Sequence, residues 1–141
     1  VETSEELFDK VIAVNFKGAF RLGALIGTRM AAGEGGSIIN ISSSGALFPQ
    51  PGIIPYAGAK AAMNAMTIGW AREFGPKVRV NTISPGPFLT DIAEHWEDRE
   101  HVDSALGRPG RPDEIITTAL YLASGASSYT TSALIRVDGG L

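Results

Sequence analysis

The chain has 141 residues, enough for one domain with a hydrophobic core, and its 44% hydrophobic and 19% charged residues are typical of a folded globular protein. A net charge of −3 without a polybasic run argues against nucleic-acid and anionic-membrane binding, and the absence of cysteine excludes disulfides and thiolate metal sites. No stretch approaches the roughly twenty apolar residues of a membrane span. The absence of cysteine suits a cytoplasmic protein, which we therefore expect.

The first predicted element is a long amphipathic helix that begins near Thr3 and ends near Ala32. Thr3 precedes Glu6 by the spacing of a capping box, and the segment 33–36 (Gly-Glu-Gly-Gly) is a turn sequence. Apolar residues occupy two sides of this helix. We therefore expect it to have two neighbours, a sheet on one side and a second helix or subunit on the other.

A strand and a second helix are predicted next. The short β-branched run Ser37–Ser42 is typical of a buried parallel strand. A loop rich in proline and glycine continues through Pro55. The helix is then predicted from about Tyr56 to Phe74, where a Gly-Pro pair ends it.

The remaining elements complete an alternating pattern. A strand is predicted over Val78–Ile83, a short helix over about Asp91–Asp98 in a loop-rich segment, a helix from Pro112 to about Ser124, and a last strand over Leu134–Val137. Alternating helices and strands indicate an α/β protein with a parallel sheet. We expect residues 1–141 to form one domain or part of one.

Tyr56 and Lys60 give the strongest chemical signal in the chain. They lie four residues apart at the predicted start of a helix, so their side chains share one face, about one turn apart. An ammonium held near a phenol favours the phenolate and brings a pKa ordinarily near 10 towards neutral pH. Such a phenol can exchange a proton with a substrate oxygen during hydride transfer. Alone, the pair could equally be a solvated contact between an aromatic ring and a lysine.

Ser43 and Asn15 add to this signal. Ser43 directly follows a predicted strand, and ligands of open α/β sheets bind beyond the carboxyl ends of strands. Its hydroxyl could therefore bind the same substrate oxygen as Tyr56; the alternative is an ordinary loop serine. Asn15 interrupts an almost wholly apolar helix, where a buried amide without partners is costly. Asn15 thus either caps a local backbone group or belongs to a polar network with water near the site.

Two further segments are candidates for binding. The Ser84–Thr90 segment again follows a strand; its two prolines stiffen the backbone and Gly86 allows a flat ring to approach closely, although a plain turn would need the same residues.

His95 and His101 lie in a charged stretch that matches no metal-ligand spacing. We expect a solvated helix face there and no bound metal.

In chain order these residues resemble the motifs of the short-chain dehydrogenases/reductases. The motifs are Asn15, Ser43, Tyr56-x-x-x-Lys60, Pro85-Gly86 and the terminal Val137-Asp138-Gly139-Gly140. The likeness covers essentially the whole chain, and it is to the single-domain branch that includes 3-oxoacyl-carrier-protein reductases and glucose or gluconate dehydrogenases. It implies a Rossmann-like, doubly wound parallel sheet, of which this chain supplies the C-terminal half with three strands. It also implies hydride transfer between NAD or NADP and a secondary alcohol or ketone.

The resemblance implies a role for each catalytic candidate. Tyr56 would be the general acid/base, and Lys60 would favour its phenolate and hydrogen-bond the nicotinamide ribose. Ser43 would orient the substrate oxygen. Asn15 would hold a water in a proton relay that runs to Lys60.

Cofactor, substrate and subunit contacts are implied in the same way. Pro85 and Gly86 would border the nicotinamide, while the Phe88 N–H and the Thr90 hydroxyl would bind its carboxamide. Trp96 would lie in a lid over the substrate. Helices around residues 5–30 and 56–74 would associate into a homodimer or homotetramer.

The chain departs from the family pattern at two places. Ser132 stands where the family usually has glycine, which we expect to be a mild packing difference. The glycine-rich Gly-x-x-x-Gly-x-Gly loop is absent, and the chain starts at Val1 rather than at a methionine. We therefore expect that roughly the first two-fifths of a family domain is missing. That part would contain the pyrophosphate site and the segment that distinguishes NAD from NADP. We also expect the Ser37–Ser42 strand to have an unpaired edge.

Two alternatives remain open at this point. The extended epimerases and dehydratases share the Tyr-x-x-x-Lys motif, although the ending at Leu141 without a further substrate domain argues against them. The chain could also be a catalytically inactive fragment that retains only the helices for association. Cofactor titration would separate that fragment from an active enzyme.

Overall fold

The computed structural model describes residues 3–95 and 101–141, and these form an α/β fold. The elements are helices α1 (Glu5–Ile12), α2 (Ala19–Ala32), α3 (Ile54–Glu73) and α4 (Ile116–Ala123), and strands β1 (Gly36–Ile41), β2 (Val78–Pro85) and β3 (Leu134–Val137). The predicted alternation of helices and strands is confirmed. Short 3₁₀ turns occupy Ser44–Ala46, Asp91–His95, Pro112–Ile115 and Gly125–Ser127.

The three strands form a parallel sheet in the order β1-β2-β3. Ile41 lies opposite Ile83, and Pro85 lies opposite Val137, so the carboxyl ends of all three strands meet at one edge. This arrangement confirms the Rossmann-like fold class. Within the described residues β1 pairs with β2 alone, and its other edge has no strand beside it.

The first helix runs from α1 into α2 through a π-helical segment, Ala13–Gly18. Ser4 is its N-cap, because the Ser4 hydroxyl accepts a hydrogen bond from the Leu7 N–H at 3.2 Å. The predicted start at Thr3 was therefore one residue too early, while the predicted end at Ala32 is confirmed.

Helices α2 and α3 pack closely because glycine residues of α2 lie against aromatic rings at the C-terminal end of α3. A Cβ atom at Gly23 would overlap the Trp70 ring, and a Cβ at Gly27 would overlap the Phe74 ring. Both rings lie in the hydrophobic core with Val80 of β2. Glycine therefore allows the two helices to approach closely and bury two aromatic side chains.

The first helix also carries large apolar side chains that are exposed: Leu7, Phe8, Val14, Leu22, Leu25 and Ile26. Phe20 is partly exposed as well, and its ring stacks on Trp70 with the ring centres 5.9 Å apart. By length and composition the helical stretch Glu5–Ala32 is also apolar enough to cross a membrane, since an 18-residue window within it has a mean hydropathy of 1.2, contrary to the expectation that no stretch approaches a span. A single such helix is weak support for a membrane protein, since packed helices of soluble proteins pass the same test. Here one side of the helix packs against α3 and β1, while most of the segment is exposed.

Some predicted boundaries were displaced. Helix α3 begins at Ile54 instead of Tyr56, because Pro55 fits the first turn of a helix, where its missing N–H has no partner to lose. The predicted short helix over Asp91–Asp98 is a 3₁₀ turn over Asp91–His95, and its remainder lies outside the described residues.

Ser132 has a backbone conformation that the sequence analysis did not predict. Its φ is +62°, in the left-handed region that glycine adopts without strain and other residues rarely adopt. Its N–H donates to the Val80 carbonyl at 2.7 Å, which ties the residue to β2. The departure from glycine is therefore a matter of backbone strain, not the mild packing difference that the sequence suggested.

Candidate active site

A cavity of about 450 Å³ opens at the carboxyl ends of β1 and β2. Its lining residues are Ile41, Ser42, Ser43, Tyr56, Lys60, Pro85, Gly86, Pro87, Phe88, Thr90, Pro112 and Ile115. Seven residues singled out from the sequence line this one cavity: Ser43, Tyr56, Lys60, Pro85, Gly86, Phe88 and Thr90. The position agrees with the rule that ligands of such sheets bind beyond the carboxyl ends of strands.

Tyr56 and Lys60 lie side by side on the first turns of α3. The Lys60 Nζ is 5.6 Å from the centre of the Tyr56 ring and donates a hydrogen bond to the Ile41 carbonyl at 2.9 Å. Burial lowers the pKa of Lys60, because a partly desolvated ammonium is disfavoured. The helix thus holds a cation beside a half-buried phenol at the cavity wall.

Ser43 follows β1 in an extended conformation and caps the Ser44–Ala46 turn. Its Oγ accepts a hydrogen bond from the Gly45 N–H at 3.1 Å. Because that bond uses only a lone pair of the oxygen, the hydroxyl keeps its own hydrogen for a ligand in the cavity.

Asn15 lies in the π-helical segment and does not line the cavity. Its Nδ2 donates to the Val11 carbonyl at 3.1 Å, four residues earlier in the chain. This bond is the local backbone contact that the sequence allowed, and the role of Asn15 in a water network stays a prediction. π-helical turns within α-helices are nevertheless frequent at functional sites.

The Pro85–Thr90 loop forms the wall opposite α3. The Gly86 N–H donates to the Val137 carbonyl at 2.9 Å, and a Cβ at Gly86 would lie only 2.7 Å from the Cα of Asp138. The Phe88 ring lies against Gly110, and the Gly110 N–H donates to the Pro87 carbonyl at 2.9 Å. The loop is therefore held from both sides by backbone contacts.

An ion pair fixes the segment behind this loop. Two Arg108 nitrogens each bind a Glu114 oxygen at 2.8 Å. The hydrogen bond from Arg108, followed by one from the Arg111 N–H, lowers the pKa of Glu114 to about 2. Glu114 therefore stays charged well below neutral pH and keeps the 108–114 turn in place.

The substrate residue Trp96, singled out from the sequence, lies outside the described residues. In the part of the chain that the structure describes, no group of three or more His, Asp or Glu side chains is placed to hold a metal ion. Sequence reasoning did not single out Ser42, Pro112 or Ile115, which also line the cavity. The strand-end rule could have found Ser42, whereas Pro112 and Ile115 carry no local signal because only tertiary packing brings them there.

Known proteins share both the sequence pattern and the fold of this chain. The whole chain, residues 1–141, matches the family model described as "Enoyl-(Acyl carrier protein) reductase". A solved structure of a "short chain dehydrogenase/reductase family protein" superposes with a TM-score of 0.92 at 36% identity, covering 99% of this chain and 59% of that protein. The chain belongs to the short-chain dehydrogenase/reductase family.

Several members of the short-chain dehydrogenase/reductase family are similar along the entire chain. A 3-oxoacyl-[acyl-carrier-protein] reductase of Thermotoga maritima is 38% identical, covering 100% of this chain and 59% of the relative. A galactitol 2-dehydrogenase (L-tagatose-forming) of Cereibacter sphaeroides is 36% identical, covering 99% and 59%. A gluconate 5-dehydrogenase from Burkholderia cenocepacia, solved with NADP and tartrate, is 30% identical with a TM-score of 0.92, covering 99% and 58%. The chain therefore spans about three-fifths of the length of these relatives.

Proposed function

We propose that this chain carries the catalytic and nicotinamide-binding part of an NAD(P)-dependent oxidoreductase that acts on a secondary alcohol or ketone. The observation that carries the proposal is the single cavity lined by Tyr56, Lys60 and Ser43 at the carboxyl ends of the strands. Two hydroxyl groups and one ammonium face a space large enough for a small organic substrate. These groups are suited to moving a proton at a carbinol or carbonyl oxygen.

Tyr56 would be the general acid/base of the reaction. In reduction its phenol would donate a proton to the carbonyl oxygen, and in oxidation its phenolate would accept the proton of the alcohol. The Lys60 ammonium lies 5.6 Å from the ring centre, where its positive charge would stabilise the negative charge that develops on the phenol oxygen during proton transfer. Lys60 would thereby assist the proton transfer.

Ser43 and Asn15 would assist. The Ser43 hydroxyl, with its oxygen fixed by the Gly45 N–H, would donate to the same substrate oxygen and orient it. Asn15 would hold a water in a relay that returns protons to Lys60 from solvent. The π-helical turn at Asn15 supports this role, because such a turn disturbs the regular backbone bonding and can leave a carbonyl group for water.

The residues opposite Tyr56 fit one face of a nicotinamide ring and its carboxamide. Pro85 and Gly86 line the cavity, where glycine has no side chain to keep a ring away, and Phe88 and Thr90 line the same cavity. Pro85 and Gly86 would border the ring, and the Phe88 N–H and Thr90 hydroxyl would hold the carboxamide. When bound, the nicotinamide supplies or accepts the hydride. These contacts suit NAD and NADP equally, because the two cofactors share the same nicotinamide.

The second candidate function is that of a catalytically inactive piece that associates through its helices. The exposed apolar side chains of the first helix favour it, because they offer a surface for association that needs no cofactor. The extended epimerases and dehydratases have no comparable support, since the Thermotoga maritima and Cereibacter sphaeroides relatives are a reductase and a dehydrogenase.

Cofactor titration tests both candidates. NAD⁺ and NADPH are titrated into the purified 141-residue chain while tryptophan fluorescence is followed, and simple secondary alcohols and ketones are then assayed. We expect no micromolar binding and no turnover from this chain alone, because hydride transfer needs the nicotinamide held in a fixed pose. We expect activity once a glycine-rich nucleotide-binding segment of the family type is supplied. Micromolar binding with turnover from the chain alone would contradict this expectation.

We also propose that the protein is a homodimer or homotetramer assembled through the first helix and α3. The exposed apolar side chains of the first helix form a surface of the kind that marks interfaces. Multi-angle light scattering at micromolar concentration should give a multiple of the 14.8 kDa chain mass. Leu22→Lys should shift the population towards monomer, whereas Leu106→Lys, a change at an equally exposed leucine away from these helices, should not. A monomer for the unmodified chain would contradict the proposal.

A further inference from the structure

Ser42 is a buried serine that lies between two residues of the candidate site. Only 3% of the residue is exposed. The Ser42 N–H donates to the Ile83 carbonyl of β2 at 2.8 Å, so the backbone at this point continues the sheet. The Ser42 hydroxyl binds a different element, because it donates to the Lys60 carbonyl of α3 at 3.3 Å.

Lys60 is consequently held at both of its ends by two consecutive residues. Its backbone carbonyl accepts from Ser42, and its Nζ donates to the Ile41 carbonyl at 2.9 Å. These two bonds close a ring that joins the end of β1 to the second turn of α3. Ser43, the next residue of the chain, and Tyr56, one helical turn before Lys60, adjoin this ring.

We propose that Ser42 is a positioning residue: its hydroxyl docks α3 on the end of β1 so that the Lys60 ammonium stays beside Tyr56 and within the same cavity as Ser43. The consequence for catalysis rests on the function proposed above, whereas the placement of Lys60 does not. A rigid connection is required here because the proton donor lies on a helix and the orienting hydroxyl on a strand end. A displacement of about 1 Å between such groups can cost roughly a hundredfold in rate.

The first test uses the chain itself and needs no cofactor. Competitive acetylation with acetic anhydride over a range of pH, read by mass spectrometry at each lysine, gives the pKa of Lys60, with Lys77 as the internal reference. Ser42→Ala should raise the pKa of Lys60 towards its ordinary value, because the released Nζ gains water. Ser37→Ala is the matched control: Ser37 lies on the same strand and its hydroxyl donates to the Leu122 carbonyl at 2.8 Å, away from the cavity.

The outcomes of the labelling test are decisive for the placement of Lys60. A shift at Lys60 in Ser42→Ala but not in Ser37→Ala supports the proposal, and Ser42→Thr, which keeps a hydroxyl, should restore the original pKa. Equal Lys60 pKa values in the unmodified chain and in Ser42→Ala would overturn it. Circular dichroism checks that each variant folds, and Ser42→Cys, with a thiol that donates only weakly, replaces the alanine variant if that variant does not fold.

Kinetics then test the consequence in an active protein that contains this chain. Ser42→Ala should lower kcat about tenfold or more, weaken cofactor binding in the same direction as Lys60→Ala, and shift the alkaline limb of the pH–rate profile, with recovery in Ser42→Thr. A parallel loss in Ser37→Ala would show a merely structural effect and overturn the inference about catalysis. If the unmodified protein shows no oxidoreductase activity, the proposed function fails, while the labelling result still decides whether Ser42 positions Lys60.

Discussion

The two halves of α3 serve different purposes. The first half faces the carboxyl ends of the strands, where Tyr56 and Lys60 line the cavity and polar contacts tie the helix to β1. The second half faces the opposite end of the sheet, where Trp70 and Phe74 pack on glycines of α2 and on Val80. One helix therefore carries residues of the candidate site at one end and core packing at the other.

Between the halves lies a small polar cluster. The Thr67 hydroxyl accepts from the Asn40 amide at 2.8 Å, lies 2.7 Å from the Thr82 hydroxyl, and donates to the Met63 carbonyl at 3.2 Å. Polar groups buried with partners in this way cost little and fix the helix on the sheet in one register. The contrast teaches that changes in the first half should affect activity, whereas changes in the second half should affect stability.

The largest expected effect comes from Tyr56→Phe in an active protein that contains this chain. Loss of the phenolic hydroxyl removes the proton donor and should lower turnover by about 10²- to 10⁴-fold, with cofactor affinity largely intact. Lys60→Ala should harm both turnover and cofactor affinity. Steady-state kinetics and cofactor titration measure the two quantities. Tyr129→Phe, at a fully exposed tyrosine, is the control; near-normal turnover in Tyr56→Phe would refute the acid/base assignment.

An intermediate effect, on stability, is expected where α2 packs against the second half of α3. Gly23→Ala places a methyl group in the Trp70 ring and should lower the free energy of unfolding by about 1–3 kcal/mol through overpacking. Gly69→Ala is the matched control, because Gly69 lies in α3 with open space around it and alanine is the better helix former, so stability should rise by roughly 0.5–1 kcal/mol. Urea denaturation measures both, and an unchanged midpoint in Gly23→Ala would mean that the helices are not packed this closely.

The smallest expected effect is at Ser132. Ser132→Gly relieves the cost of a left-handed backbone at φ +62° and should raise the free energy of unfolding by about 1 kcal/mol or less, since glycine also loses more entropy on folding. Ser128→Gly, at an ordinary φ of −57°, should instead destabilise the chain. Thermal unfolding of the two variants side by side checks the sign of each change in stability. A loss of stability in Ser132→Gly would show that Ser132 carries no such backbone strain in solution.

Much of the candidate site could be predicted because its residues follow strand ends or share a helix face. Ser43 and Gly86 each follow a strand, and Tyr56 and Lys60 are one turn apart, so local spacing was sufficient to select them. Local spacing was not sufficient for Asn15. Its sequence context left two possibilities open, and the structure shows that its amide binds the Val11 carbonyl and that the residue does not line the cavity.

The sequence by itself determined the order of helices and strands, the parallel sheet and the pairing of Tyr56 with Lys60, because these depend on periodicity and on spacing within single elements. Only the tertiary structure decided that Ser42 binds Lys60, that Gly23 and Gly27 receive aromatic rings, and that Ser132 is left-handed. These features depend on contacts between segments distant in the chain. Local propensity does not encode such contacts, because they are fixed by how the helices dock on the sheet.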